Sequence, residues 1–186
     1  MSRSGSSNGS ATTSSPTCCS CWPSIAVLYA RPPSELFARY KTEVREEWID
    51  YNGHLNDAGY ALVLSEANEV LLADLGLSED YRARTGRATY TVESHIRYLA
   101  ECQLGDELEA PSLVVSADVK RMRVRTALTR SNGAVVATGE HLYLHVDDGV
   151  GRVTAMPADR WEAVEALLVA HAALDRPAYL GRGIGS

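Results

Sequence analysis

The chain has no apolar run long enough to span a bilayer, no glycine-rich phosphate loop or metal-ligand motif, and no internal repeat. Cysteine is scarce, with four in 186 residues. Cys18, Cys19 and Cys21 crowd a serine-rich stretch, and Cys102 stands alone in the body of the chain. Crowded cysteines without spaced partners do not make a disulfide framework, which points to a reducing, cytoplasmic compartment. A zinc site on the trio lacks a fourth ligand, since no histidine lies nearby; no metal is expected. Positive charge is also short. Eighteen Lys and Arg face 24 Asp and Glu, for a net charge of -6. That balance argues against a general nucleic-acid binder, and nothing points to a membrane partner.

What is present suffices for one domain with a real core. Residues 1–35, rich in Ser, Thr, Gly and Pro, bury too little to offset their ordering entropy and read as a disordered N-terminal extension. Their apolar run, Ile25 to Ala30, is short and late for a secretory signal. Residues 36–176 read as the domain, and the Gly-rich 177–186 as a flexible tail. Strands are expected over Tyr40–Glu46, Ala88–Ala100, Glu107–Asp118, Lys120–Arg130 and Ala134–Val146. Ser131-Asn132-Gly133 marks the last hairpin. Strict alternation over Ala88–Ala100 puts Tyr90, Val92, Ser94, Ile96 and Tyr98 on one face, with Thr91, Glu93, His95 and Arg97 on the other. Asp57 caps a helix to about Leu75, stopped by Gly76 and apolar on most sides. Ser78–Arg87 reads as a polar connector, and Asp159–Ala172 as a second helix. Long strands with short hairpins after one early helix imply an α+β domain, a mainly antiparallel sheet wrapped around a central helix.

The chain is organised around Trp48-Ile49-Asp50-Tyr51-Asn52-Gly53-His54-Leu55-Asn56-Asp57. A strand, a polar glycine turn and a helix start put an acid beside unpaired N–H groups. That arrangement suits acyl transfer, with the acid acting on a carbonyl or on water while the helix end holds the oxyanion. Each residue also has a plainer role: Asp50 as a turn aspartate bonding its own backbone, His54 as a pin for the turn, Asn56 as a cap. Gly53 serves tight geometry or the close approach of substrate.

The spacing Asp50-x-x-Gly53-His54-x-Asn56 resembles the acid-x-x-Gly-His-Val-Asn-Asn segment of the hot-dog thioesterases, in the 4-hydroxybenzoyl-CoA thioesterase-like branch. Glu93-Ser94-His95-Ile96-Arg97-Tyr98-Leu99, Gly105-Asp106-Glu107-Leu108 and Ala137-Thr138-Gly139-Glu140 through His145-Val146-Asp147 occur there in similar form and order. The resemblance spans about Tyr40 to Pro157. Within the branch the wording is most similar to the betainyl-CoA thioesterases of carnitine and betaine breakdown, which also occur fused to carnitine dehydrogenases.

The resemblance implies a hot-dog fold and an acyl-CoA thioesterase without metal or resident cofactor, coenzyme A being part of the substrate. It implies homodimers or tetramers of dimers with active sites at the interface. It makes Asp50 the nucleophile or general base, and leaves His54 and Asn56 to assist. The backbone N–H at Asp57 becomes the oxyanion donor, although Asp57 itself departs from the usual second Asn and sets a negative charge nearby. Trp48, Tyr51, Tyr60 and Tyr98 offer an aromatic cage for a quaternary ammonium acyl group; core packing is their plainer role. Lys120, Arg121 and Arg123 are candidates for the CoA phosphates, with Arg82, Arg84 and Arg87 as rivals and a solvated strand face as the alternative. A hot-dog dehydratase or hydratase and a non-catalytic acyl-CoA-binding domain are the competing functions.

Overall fold

The computed structural model describes residues 37, 40–176 and 180–181. The expected N-terminal extension and most of the expected tail lie outside them. Along the chain come β1 (Lys41–Glu43), a 3-10 turn (Glu46–Trp48), α1 (Asp57–Asp74), α2 (Glu79–Thr85), β2 (Arg87–Tyr98), β3 (Glu107–Glu109), β4 (Ser112–Asp118), β5 (Arg121–Arg130), β6 (Val135–Asp147), β7 (Arg152–Val153) and α3 (Ala158–Ala172). All pairings are antiparallel, in the order β1-β3-β5-β6-β2, with β4 also on β5 and β7 on β6. The sheet curls around α1, the expected hot-dog arrangement. No helix among the described residues is long and apolar enough to cross a membrane.

Helix α1 starts because Asn56, not Asp57, caps it: the Asn56 side chain accepts from the Gly59 N–H. Asp57 is the first helical residue, where its carboxylate complements the helix dipole. The helix buries Tyr60, Val63, Leu64, Ala67, Leu71 and Leu72 against the sheet. The polar Asn68 is buried with them, while Leu62 is left exposed. Asn68 is tolerated because its Oδ1 accepts from the Thr126 hydroxyl of β5 at 2.8 Å.

Three other expectations need correction. Ser78–Arg87 is not a plain connector, since α2 occupies it. Acids Glu79 and Asp80 open α2, Arg82 and Arg84 close it, and Gly86 ends it at φ 64. Its one buried residue, Tyr81, was too little apolar pattern to signal a helix. Glu107–Asp118 is not one strand but β3 and β4, broken at Ala110-Pro111, where proline has no N–H for the ladder. In β2 a bulge between Thr91 and Glu93 breaks the alternation. Tyr90 therefore joins Glu93, His95 and Arg97 on the outer face, opposite Leu144, Leu142, Glu140 and Thr138. Thr91, Ser94, Ile96 and Tyr98 face inward, towards the α1 side.

Helix α3 packs on β4, where the His171 Nδ1 accepts from the Val114 N–H at 2.9 Å and so caps an open strand edge. Because α1 lies over β4, β5 and β6, the inner face of edge strand β2 stays largely exposed.

Candidate active site

Residues 49–55 form a tight hairpin. Ile49 and Leu55 make an antiparallel bridge, the Asp50 N–H donates to the His54 carbonyl at 2.9 Å, and the Gly53 N–H to the Asp50 carbonyl at 3.0 Å. Gly53 sits at φ 80, where a side chain is strained, yet no atom lies close to where a Cβ would point. Glycine is therefore required by the turn and not by crowding. The hairpin is tied to the core by Leu55 N–H to the Cys102 carbonyl at 2.8 Å and Asn56 N–H to the Trp48 carbonyl at 2.9 Å. The Asp50 carboxylate accepts the Asn52 N–H at 2.7 Å and the Asn52 side-chain amide at 3.2 Å. Those donors, the backbone one first, hold it below the usual carboxylate range. Asp50 is thus anionic at neutral pH, at the solvent side of the turn, and it combines the turn role with a free face.

The hairpin delivers the chain into the first turn of α1. Gly59 donates to Asn56 Oδ1 at 2.7 Å, and Ala58 to Asp57 Oδ1 at 2.9 Å. The Asp57 N–H has no acceptor among the described residues. A Cβ on Gly59 would meet Leu55 at 2.4 Å, so this glycine lets the helix start press against the hairpin. His54 Nε2 lies 3.3 Å from Glu101 Oε2 on the loop after β2. Carboxylate and unspent N–H thus share one short, pinned segment, the elements a thioester carbonyl needs.

The aromatic candidates are dispersed. Trp48 is core, with the Arg45 guanidinium 4.8 Å above its ring. Tyr60 is buried and its hydroxyl donates to the Ala100 carbonyl at 2.9 Å. Tyr51 is 97% exposed. Tyr98 is half-exposed, edge-on to Tyr60 at 5.5 Å. Burial first, then the Asp57 carboxylate, raises the Tyr98 hydroxyl pKa. Tyr60 and Tyr98 are the two that meet within one chain.

The cation candidates are further off. Lys120 and Arg121 stand at the start of β5, while Arg130 at its other end reaches the Asp106 carboxylate at 2.8 Å and the Glu101 carbonyl beside the hairpin. Nine residues of strand put the two ends about 30 Å apart. Arg121 pairs with Asp118 at 2.5 Å and Arg123 with Glu140. The rivals Arg82 and Arg87 pair with Asp148 and Asp147. Glu66, an acid on α1, accepts the Tyr40 hydroxyl. Burial and that carboxylate push Tyr40 up to about 12.

The thioesterase-like superfamily model matches residues 44–168. The chain belongs to this family. It is 37% identical to a betainyl-CoA thioesterase of Pseudomonas aeruginosa, over 82% of this chain and 96% of that protein. It is 42% identical to an L-carnitine dehydrogenase/betainyl-CoA thioesterase of Agrobacterium fabrum, over 69% of this chain; the match covers only 26% of that longer protein. In structure it resembles a Staphylococcus aureus protein solved in complex with CoA, at TM-score 0.77 and 26% identity, covering 82% of this chain and 96% of that one.

Within this hot-dog thioesterase the structure adds residues to the site that spacing did not reveal. Glu101 reaches the hairpin from the β2–β3 loop through His54, and Arg130 at the end of β5 holds the Glu101 carbonyl. Nothing local in the sequence marks them, because their partners are about 50 and 30 residues away. Gly59 had a signal, a glycine inside an apolar helix pattern, where close backbone approach is the usual reason.

Proposed function

We propose that this thioesterase hydrolyses a small acyl-CoA, betainyl-CoA foremost, to the free acid and CoA. The carrying observation is the ionised, solvent-facing Asp50 in a hairpin that ends at an unspent helix N–H. The thioester carbonyl oxygen accepts the Asp57 N–H, and the helix start stabilises the negative charge that develops there. Asp50 either attacks the carbonyl carbon, giving a mixed anhydride that water cleaves, or takes a proton from an attacking water. In both routes the carbon–sulfur bond breaks and CoA leaves as thiolate. His54 is set beside the same turn, and Asn56 is committed to the cap. CoA enters as part of the substrate, and no resident cofactor is invoked.

Betainyl-CoA is supported by the relatives' names and by the half-exposed Tyr98, whose ring lies near the Asp57 carboxylate; ring and charge together suit a trimethylammonium group. The fusion of such relatives to L-carnitine dehydrogenases supports a place in carnitine or betaine breakdown, in the cytoplasm.

A homodimer, alone or paired into a tetramer, completes this reading. Strand β2 leaves a long edge, with Val92, Tyr98 and, on α1, Leu62 exposed. Antiparallel pairing of β2 with its copy reverses the second sheet. The partner's Lys120–Arg123 end then falls beside the Tyr98 end here, bringing cations towards the CoA phosphates.

Thiol release tests the function. Betainyl-CoA should turn over at least about tenfold faster than its neutral isostere 3,3-dimethylbutyryl-CoA, the scale of one good cation–aromatic contact. Equal turnover rejects the cationic substrate. Hydration of an enoyl-CoA without thiol release identifies a hydratase, and binding without release a carrier domain.

A further inference from the structure

Under α1, next to the open inner face of β2, lies a polar pair that the hydrolytic turn does not use. Ser94 Oγ is 3.0 Å from His141 Nδ1. Ser94 is exposed on edge strand β2, whereas His141 is 5% exposed. His141 Nε2 is buried without a hydrogen-bond partner. It lies 2.6 Å from where a Cβ on Gly139 would stand, so Gly139 makes room for the ring. Gly139 is the register partner of Thr126, whose hydroxyl donates to Asn68 Oδ1 of α1.

These neighbours decide the tautomer of His141. Burial disfavours the imidazolium, so one nitrogen carries the proton. With the proton on Nε2, that N–H is a buried donor without an acceptor; orphaned buried N–H groups are rare for good reason, and an unfilled acceptor is the smaller cost. With the proton on Nδ1, Nε2 is an unfilled lone pair, and the N–H is spent on Ser94. The Ser94 oxygen then accepts from His141, and its own proton is left for another acceptor on the exposed inner face of β2.

We propose that Ser94 is a hydrogen-bond donor that holds the carrier arm of the acyl-CoA substrate, with His141 the positioning residue that fixes its direction. The proposal rests on the thioesterase reading above. Ser94 shares the inward face of β2 with Tyr98, four residues and about 13 Å away. A trimethylammonium acyl group offers no acceptor and is too short to reach Ser94 from a position beside Tyr98. The pantetheine arm offers two amide carbonyls, and the second from the sulfur, farther along the arm, is the one assigned to Ser94.

The test compares wild type, Ser94→Ala and Ser94→Thr on a CoA thioester and on the N-acetylcysteamine thioester of the same acid, which ends after the first amide. Ser94→Ala should raise KM for the CoA thioester about 2- to 12-fold, the range of one net hydrogen bond, with kcat unchanged. The short thioester should be indifferent, and Ser94→Thr should restore the wild-type KM. Proton–nitrogen correlation NMR should show the His141 proton on Nδ1. A proton on Nε2, an unchanged KM, or an equal loss on both thioesters overturns the proposal. If wild type releases no thiol from either compound, the thioesterase reading falls instead. The affinity of CoA for wild type and Ser94→Ala then decides the role of Ser94, equal affinities overturning it.

Discussion

The two ends of α1 are held by different physics. At the C-terminal end Leu71, Leu72 and Leu75 are buried with Leu77, Tyr81, Met156 and Val164. At the N-terminal end the hairpin is fixed by hydrogen bonds, with Asp50, Asp57 and Tyr51 facing solvent. Burial is non-directional and secures the fold. Hydrogen bonds are directional, and they fix a charged group in place without drying it. A single helix thus joins a stabilising end to a reactive one, and substitutions should separate the two.

The largest expected effect is at the reactive end. Asp50→Asn keeps an oxygen to accept the Asn52 N–H, so the hairpin should hold, while the negative charge is lost. Steady-state assays should show kcat down about 100- to 10,000-fold with little change in Tm. Leu71→Ala should do the reverse, destabilising by about 2–5 kcal/mol in denaturant titrations while the folded fraction keeps its kcat. If Leu71→Ala cut kcat as Asp50→Asn does, the two ends would not be separable.

Intermediate effects sharpen the contrast. Asn56→Ala removes the cap and should cost about 0.5–2 kcal/mol, and it should also lower kcat because the cap sets the Asp57 N–H. The packed side has its own titratable group. His145 is buried, with the Tyr81 hydroxyl at 2.9 Å from Nε2 and the Thr154 carbonyl at 3.0 Å from Nδ1. Burial holds its pKa below the ordinary value. The unfolded chain therefore binds the proton first, so this stability is complete above about pH 6.5 and is lost as pH falls towards the folded pKa. Tm measured against pH should decline below that point, and His145→Gln should flatten the decline. Smallest of all on the chemical step, Asp57→Asn on the exposed first turn should leave kcat within about twofold.

Much of this was legible in the sequence. Strand positions and the central helix followed from periodicity, and the proposed site is drawn from Asp50, Gly53, His54 and Asn56 lying within seven residues. What was not legible depended on long-range partners. The bulge at Val92 moves Tyr90 to the outer face, and no composition rule marks it. The burial of the polar Asn68 has no local signal, because its partner Thr126 lies on β5. Asp57 and Asn56 are equally good caps by residue type, and only the helix geometry selects Asn56. The cage was a sum of aromatics near one turn, but Trp48 and Tyr60 are drawn into the core by their area.

The central claim is that Asp50 performs chemistry and does not merely shape the hairpin. The most direct measurement pairs two numbers for Asp50→Asn: the single-turnover rate of thioester hydrolysis and the affinity for a non-hydrolysable thioether analogue of the acyl-CoA. An unchanged affinity with a rate lowered about 100-fold or more is the predicted result. A rate close to wild type, or a rate loss matched by an equal loss of affinity, would contradict it.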